Sequence, residues 1–265
     1  MKMKLLALIA LLAPGLSSAA LTHRWTLNET SLAGDGSGIL ETVSNTTVGQ
    51  LFGSVTGVVG NPGVYAGDLA FLFGGNAANN GGNAVSTKFN NVLPTTGDFS
   101  VFVTAVFAAD YQGGARMLFS NNNSQAGRVD FGVNGNATIP NQLTFFLGGA
   151  SNLSLSFADS SVDPILFDGD FHEVGITRSS NSFQLYVDGV AVGSAGTSSV
   201  AISTGTEYRL GRRNAFTGFF NNAISEVQVF NEVRSSGLAV IPEPSTALLG
   251  LSAFGLSLLA RRRTS

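Results

Sequence analysis

From Leu21 to about Ser236 the chain runs in short stretches where apolar and polar residues take turns. Phe99 to Ala108 sets Phe99, Val101, Val103, Ala105 and Phe107 against Ser100, Phe102, Thr104, Val106 and Ala108. Both sets are rich in apolar residues, which predicts a central strand covered on two faces. Arg128 to Asn134 alternates more cleanly, with Val129, Phe131 and Val133 predicted inward and Arg128 and Asp130 outward. Leu153, Leu155 and Phe157 alternate with Ser154 and Ser156. Phe183, Leu185 and Val187 lead into Asp188-Gly189, and Val190-Ala191-Val192 follows. Asp-Gly between apolar strands predicts a two-residue hairpin, because both turn positions need positive φ.

No stretch of this region carries a helical period. Gly- and Asn-rich clusters such as Gly74-Gly75-Asn76, Asn79-Asn80-Gly81-Gly82 and Asn121-Asn122-Asn123 punctuate it. Roughly a dozen short strands separated by turn signals predict an all-β, two-sheet antiparallel sandwich or jelly roll. There is no clear internal repeat and no linker that would split the region.

Composition supports this picture. The chain has 44% hydrophobic residues, only 12% charged ones, and 33 glycines in 265 residues, which suits strands and tight turns more than charged surface helices. With Lys2, Lys4 and Arg261, Arg262 and Arg263 set aside, nine basic residues face 17 acidic ones. An acidic chain repels phosphate backbones, so nucleic acid is not an expected partner. The absence of cysteine excludes disulfides, Cys-ligated zinc and a thiol nucleophile.

The two ends read as processing segments. Met1-Lys2-Met3-Lys4 precedes the apolar stretch Leu5–Ala13, then Pro14-Gly15 and small residues up to Ala19 and Ala20. A basic region, a short apolar region and a small-residue cleavage site make a signal peptide over 1–20. The domain then spans 21–236, and 237–265 forms a tether and tail. In the tail, Pro242-Glu243-Pro244 precedes an apolar run from Ser245 to Ala260 and the final Arg261-Arg262-Arg263. The run is a little shorter than the span of about 20 residues that crosses a bilayer. The arginines favour the cytoplasmic side, which leaves the domain outside.

Motif, order and distance from the C-terminus resemble the PEP-CTERM sorting signal of Gram-negative bacteria. The resemblance covers about the last 25 residues. It implies a C-terminal transmembrane helix, recognition by an exosortase-type membrane enzyme, and cleavage near Pro242 to Pro244. It further implies a cell-surface or extracellular protein of the kind that accompanies exopolysaccharide and biofilm. An ordinary single-span anchor is the alternative.

A second resemblance covers nearly all of the region between the ends. Asp168-Gly169-Asp170-Phe171-His172-Glu173 followed by Tyr186-Val187-Asp188-Gly189 is similar to paired strands of the laminin-G-like/concanavalin-A-like family. His23-Arg24-Trp25-Thr26-Leu27-Asn28 resembles its first strand. Tyr208-Arg209-Leu210-Gly211 and Gly218–Asn231 resemble its closing strands. The ordered set implies a concanavalin A-like jelly-roll sandwich, flanked here by an N-terminal signal helix and the C-terminal membrane helix. Phe171 stands where Trp is usual, and Ser225 where Asp is usual, which weakens any polar site carried by that last strand.

Candidate chemistry is sparse. His172-Glu173 lacks the second histidine of a zinc-protease helix, since position 176 is Ile. Glycoside hydrolysis needs two facing carboxyl groups. The E-x-D-x-x-E run of the glucanase relatives is missing, with Glu173 and Glu226 isolated. Arginine and lysine are too scattered to suggest a polysaccharide lyase. The expectation is therefore no enzyme.

Some laminin-G-like domains bind calcium at a loop edge, and Asp35, Asp168 and Asp170 could supply oxygen ligands here. Asp168-Gly169-Asp170 also reads simply as a turn. Tyr111, Phe216, Phe219 and Phe220 lie near turns where a sugar-binding loop could be. The sequence supports an exported binding module for polysaccharide. The alternatives are a structural biofilm matrix protein without a small ligand and, third, a glycan-active enzyme.

Overall fold

The computed structural model describes residues 21–27, 90–108, 114–121, 126–134, 141–160, 164–205, 207–213, 220 and 222–237, together with the backbone of strand pieces at 40–41, 46–47, 50–52, 58–60, 69–72 and 84–90. The signal segment 1–20 and the tail beyond 237 lie outside these residues, including Ala19, Ala20, Pro242, Glu243, Pro244 and Arg261, Arg262 and Arg263. No helix among the described residues is long and apolar enough to cross a membrane.

Seventeen strands are described. The N-terminal part gives β1 (Leu21–Thr26), β2 (Leu40–Glu41), β3 (Thr46–Thr47), β4 (Gln50–Phe52), β5 (Val58–Gly60), β6 (Leu69–Leu72) and β7 (Ala84–Asn90). The middle gives β8 (Phe99–Val106), β9 (Arg116–Ser120), β10 (Val129–Asn134), β11 (Gln142–Leu147) and β12 (Leu153–Ala158). The last part gives β13 (Phe171–Ser179), β14 (Ser182–Val187), β15 (Val190–Thr197), β16 (Glu207–Leu210) and β17 (Ala223–Phe230).

These strands form two antiparallel sheets. The first runs β15-β14-β13-β8-β17-β1-β2-β3, with β6 also paired to β17 and β5 to β6. The second runs β12-β11-β10-β9-β16-β7-β4. The central place expected for Phe99 to Ala108 is found: β8 pairs with β13 on one side and β17 on the other. Its inner residues Phe99, Val101, Val103 and Ala105 are fully buried.

Period-2 alternation explains the packing between the sheets. Val129, Phe131 and Val133 of β10 and Leu143, Phe145 and Leu147 of β11 meet Val174 and Ile176 of β13 and Phe183 and Leu185 of β14 in one apolar core. Trp25 of β1 and Leu27 just after it add to this core. Strand β12 keeps the predicted rhythm, with Leu153 and Leu155 buried and Ser154 and Ser156 exposed.

Two local features fix the polar residues of the first sheet in place. The β14–β15 turn has Asp188 at φ 48° and Gly189 at φ 80°, the left-handed pair that a two-residue hairpin requires. The chain after β17 folds back over the outer face of the first sheet. There Ser100 Oγ donates to the Glu232 carbonyl (2.6 Å) and accepts from the Arg234 amide (2.8 Å). Further along, Ser236 Oγ (2.6 Å) and the Gly237 amide (3.2 Å) donate to Glu173 Oε1. Residues 231–237 thus form a strap from β17 across β8 to β13. Glycine suits its end, because a Cβ at 237 would lie 2.5 Å from Gln228 Oε1 and 3.0 Å from both Glu173 Oε2 and Phe102 Cβ.

Candidate functional site

The polar cluster expected around Asp168 to Glu173 does assemble, and it gains a member from the hairpin. Gly169 takes φ 96°, and the Asp170 amide donates to Asp168 Oδ1 (2.8 Å), so Asp168-Gly169-Asp170 is a turn. His172 opens β13 next to it. Its Nδ1 donates to Asp188 Oδ2 (2.6 Å) and its Nε2 to Asp168 Oδ1 (3.0 Å). Asp188 Oδ1 also accepts from the Glu173 amide (2.9 Å).

The Asp188 hydrogen bond raises the His172 pKa to about 9, against partial burial and with help from Asp168. Burial works to raise the Asp168 pKa, but the Asp170 amide and His172 outweigh it and hold the carboxyl below its ordinary value. His172 is therefore a cation at neutral pH. With both ring nitrogens donating, it has no lone pair with which to act as a base.

Asp168 Oδ1 is engaged by the cationic His172, and among the described residues there is no group of three or more His, Asp or Glu side chains that could hold a metal ion. Asp35 lies outside the described residues. Glu173 is buried under the strap, and Glu226 is bound by the Arg24 guanidinium and by Gln228 Nε2 (2.7 Å). Of the aromatics considered for a sugar-binding loop, Phe220 is a correction. It is 1% exposed and packs edge-on to Phe107 in the core, with its amide donating to the Gly211 carbonyl (2.8 Å). Tyr111, Phe216 and Phe219 lie outside the described residues.

A second polar constellation, which no sequence motif announced, lies on the outer face of the second sheet. Register aligns Arg209 of β16, Ser120 of β9, Asp130 of β10, Phe146 of β11 and Ser154 of β12 in one transverse row. Asp130 points outward as expected, yet it is only 4% exposed. Its Oδ2 lies 3.0 Å from both Arg128 Nε and Arg213 Nε, and its Oδ1 accepts from Ser120 Oγ (2.9 Å). Arg128 lies over the Phe146 ring, 4.4 Å from its centroid. Arg209 faces Glu207 (3.6 Å). Burial lowers the Arg212 pKa to about 10, with Arg209 adding to the shift and Glu207 opposing it. Burial also lowers the Arg128 pKa, against Asp130 and with Arg213.

The sequence held one signal of this face. Tyr208-Arg209-Leu210-Gly211-Arg212-Arg213 is the densest basic run between the two ends. What sequence could not supply is the register that brings it beside Arg128 and Asp130.

Two antiparallel sheets packed face to face over one apolar core make the domain a β-sandwich. Residues 79–237 match the laminin G model described as "Concanavalin A-like lectin/glucanases superfamily", and the chain belongs to that family. Among solved structures, it is similar to domain 4 of AbnA, a GH43 extracellular arabinanase from Geobacillus stearothermophilus, in complex with arabinotriose. That match has TM-score 0.57 and 14% identity, over 82% of this chain and 94% of the other.

It is also similar to the binding domain of botulinum neurotoxin DC in complex with SialylT, with TM-score 0.55 and 14% identity, over 83% of this chain and 49% of that one. A structure of botulinum neurotoxin type C, whose cell entry depends on interaction with two ganglioside molecules, gives TM-score 0.57 and 13% identity over 82% and 49%. The chain thus spans about half of the neurotoxin chains. At these identities the likeness is one of fold. No curated protein compared with the chain matches it in sequence.

Proposed function

We propose that the chain is an exported polysaccharide-binding module that recognises its ligand without performing chemistry on it. The signal-like residues 1–20 and the PEP-CTERM-like tail from Pro242 support export, exosortase-type sorting and a place at the surface of a Gram-negative cell. The family fold supports sugar binding, as do the oligosaccharide- and ganglioside-linked structures of similar fold.

The observation that carries the reading is the outer row of the second sheet. Arg209, Phe146 and Ser154 of that row offer donors, an acceptor and one ring, while Ser120 and Asp130 are buried beneath and hold Arg128 and Arg213 at the surface. Shallow contacts of this kind suit a polymer that meets many sites at once.

The test is retention of the processed protein on the producing organism's own exopolysaccharide, with calcium and with chelator. Saturable retention supports the reading. Equal retention with chelator is expected, since Asp168 is engaged by His172. No retention in either buffer removes the binding function and leaves a structural matrix role. Mass spectrometry of the secreted form checks the export part. A chain that keeps residues 1–20 or extends past Pro244 would contradict the processing.

A further inference from the structure

The outer face of the second sheet gathers four arginines, Arg128, Arg209, Arg212 and Arg213, around two carboxylates, Asp130 and Glu207. Elsewhere the balance runs the other way: the whole chain carries 17 acidic residues. Concentrating like charge in a partly desolvated place opposes folding unless something offsets it. Among the described residues of the face, four guanidiniums stand with two carboxylates.

The face also displays the contact it is suited to make. Asp130 sits between Arg128 and Arg213 and meets both through Nε. A guanidinium has five donors in a planar fork that matches a carboxylate, so each retains donors beyond the one Asp130 engages. Phe146 under Arg128 keeps that guanidinium flat and oriented. The side chains of Arg213, Arg128 and Arg209 are 31%, 22% and 13% exposed, so a ligand on the face can reach them. Next to them, Ser154 and Ser156 of β12 are exposed and Thr144 and Gln142 of β11 are half-exposed, a run of small hydroxyls and an amide suited to sugar hydroxyls. Five adjacent strands at about 4.8 Å spacing make the row about 19 Å long, room for several sugar rings.

We infer that this face binds a polysaccharide carrying carboxylates, that is, a uronate-bearing polymer. Arg209, Arg213 and Arg128 contact its carboxylates, and Arg212 adds to the local positive field. The inference rests on the polysaccharide-binding reading above and names the class of sugar. A small anion would use one arginine pair only. A polymer whose carboxylates repeat along the chain reaches Arg209 and the Arg128–Arg213 pair at once, and weak contacts then multiply.

The experiment is affinity electrophoresis of the full chain, in detergent to accommodate its two apolar ends, through gels containing polygalacturonate, a neutral galactan or dextran sulfate. The inference expects retardation by polygalacturonate that disappears near 1 M salt, where the screening length falls to about 3 Å. It expects the R209Q/R213Q variant to bind about tenfold more weakly or worse. Circular dichroism checks that this variant folds. If it does not, R209K/R213K, which keeps charge but loses the planar fork, takes its place and should still bind more weakly than wild type. Retardation by galactan alone, or by dextran sulfate alone, overturns the uronate assignment while the polysaccharide reading stands. Failure with all three polymers removes both. Undiminished binding by the arginine variants overturns the site, and so does a salt-sensitive dimer that forms in place of polymer binding.

Discussion

A histidine at the start of a strand is usually a minor feature, but His172 is held between Asp188 and Asp168 at 2.6 and 3.0 Å. Its pKa in the folded chain is about 9, against an ordinary value of 6.5. A raised pKa means the folded state binds the proton more tightly than the unfolded one. The stabilisation is therefore complete below pH 6.5 and is lost as pH rises through about 9. The melting temperature of the wild type should fall between pH 7 and pH 10 by more than that of H172Q, which lacks the proton. Parallel curves for the two proteins would refute the ion-pair role.

Asp188 offers a cleaner separation. Asn tolerates positive φ, so D188N keeps the hairpin and removes only the charge. The imidazole resonances of His172 should then titrate well below 9; an unchanged titration would show that Asp188 is not the dominant partner. Sequence alone presents Asp168 and Asp170 as a turn or a metal loop. The partner that sequence could not supply is Asp188, which lies far from Asp168 along the chain and close to His172 in space.

At the level of elements, what is local was legible and what is long-range was not. The Asp188-Gly189 hairpin and the rhythm of β12 follow from neighbouring residues, because turn chemistry and strand pleat act within a few positions. The strap over the first sheet depends on Ser100, Glu173 and residues 232–237, brought together only once β8, β13 and β17 pair. Glu173 shows why an isolated acidic residue in sequence need not be catalytic. It is 5% exposed, and Ser236 and Gly237 donate to its carboxylate. E173A should leave those donors without this acceptor and cost about 1 to 3 kcal/mol. The amide proton of Gly237 should exchange much faster in this variant, while those of β14 stay protected. Equal protection at 237 would show that the strap is held without Glu173.

For the molecule as a whole, the question is where the folding unit begins. The family match starts at residue 79, but the first strand of the chain pairs with β17 from Leu21 to Thr26 and sits next to the centre of the first sheet. Trp25 and Leu27 are fully buried in the shared core. Losing two such side chains forfeits about 1.5 to 3 kcal/mol each, and β17 would also face water along one edge. That sum approaches the net stability of an ordinary domain, about 5 to 15 kcal/mol. A chain beginning at residue 79 should therefore melt far below residues 21–237, or without a cooperative transition. Trp25 is the only tryptophan, so the longer chain carries its own reporter. Its emission should be blue-shifted when folded and should move red in the same transition that circular dichroism follows. If the emission moves first, β1 docks as a separate and weaker unit. If the chain starting at 79 melts at the same temperature as the longer one, β1 is an accessory to a core that closes without it.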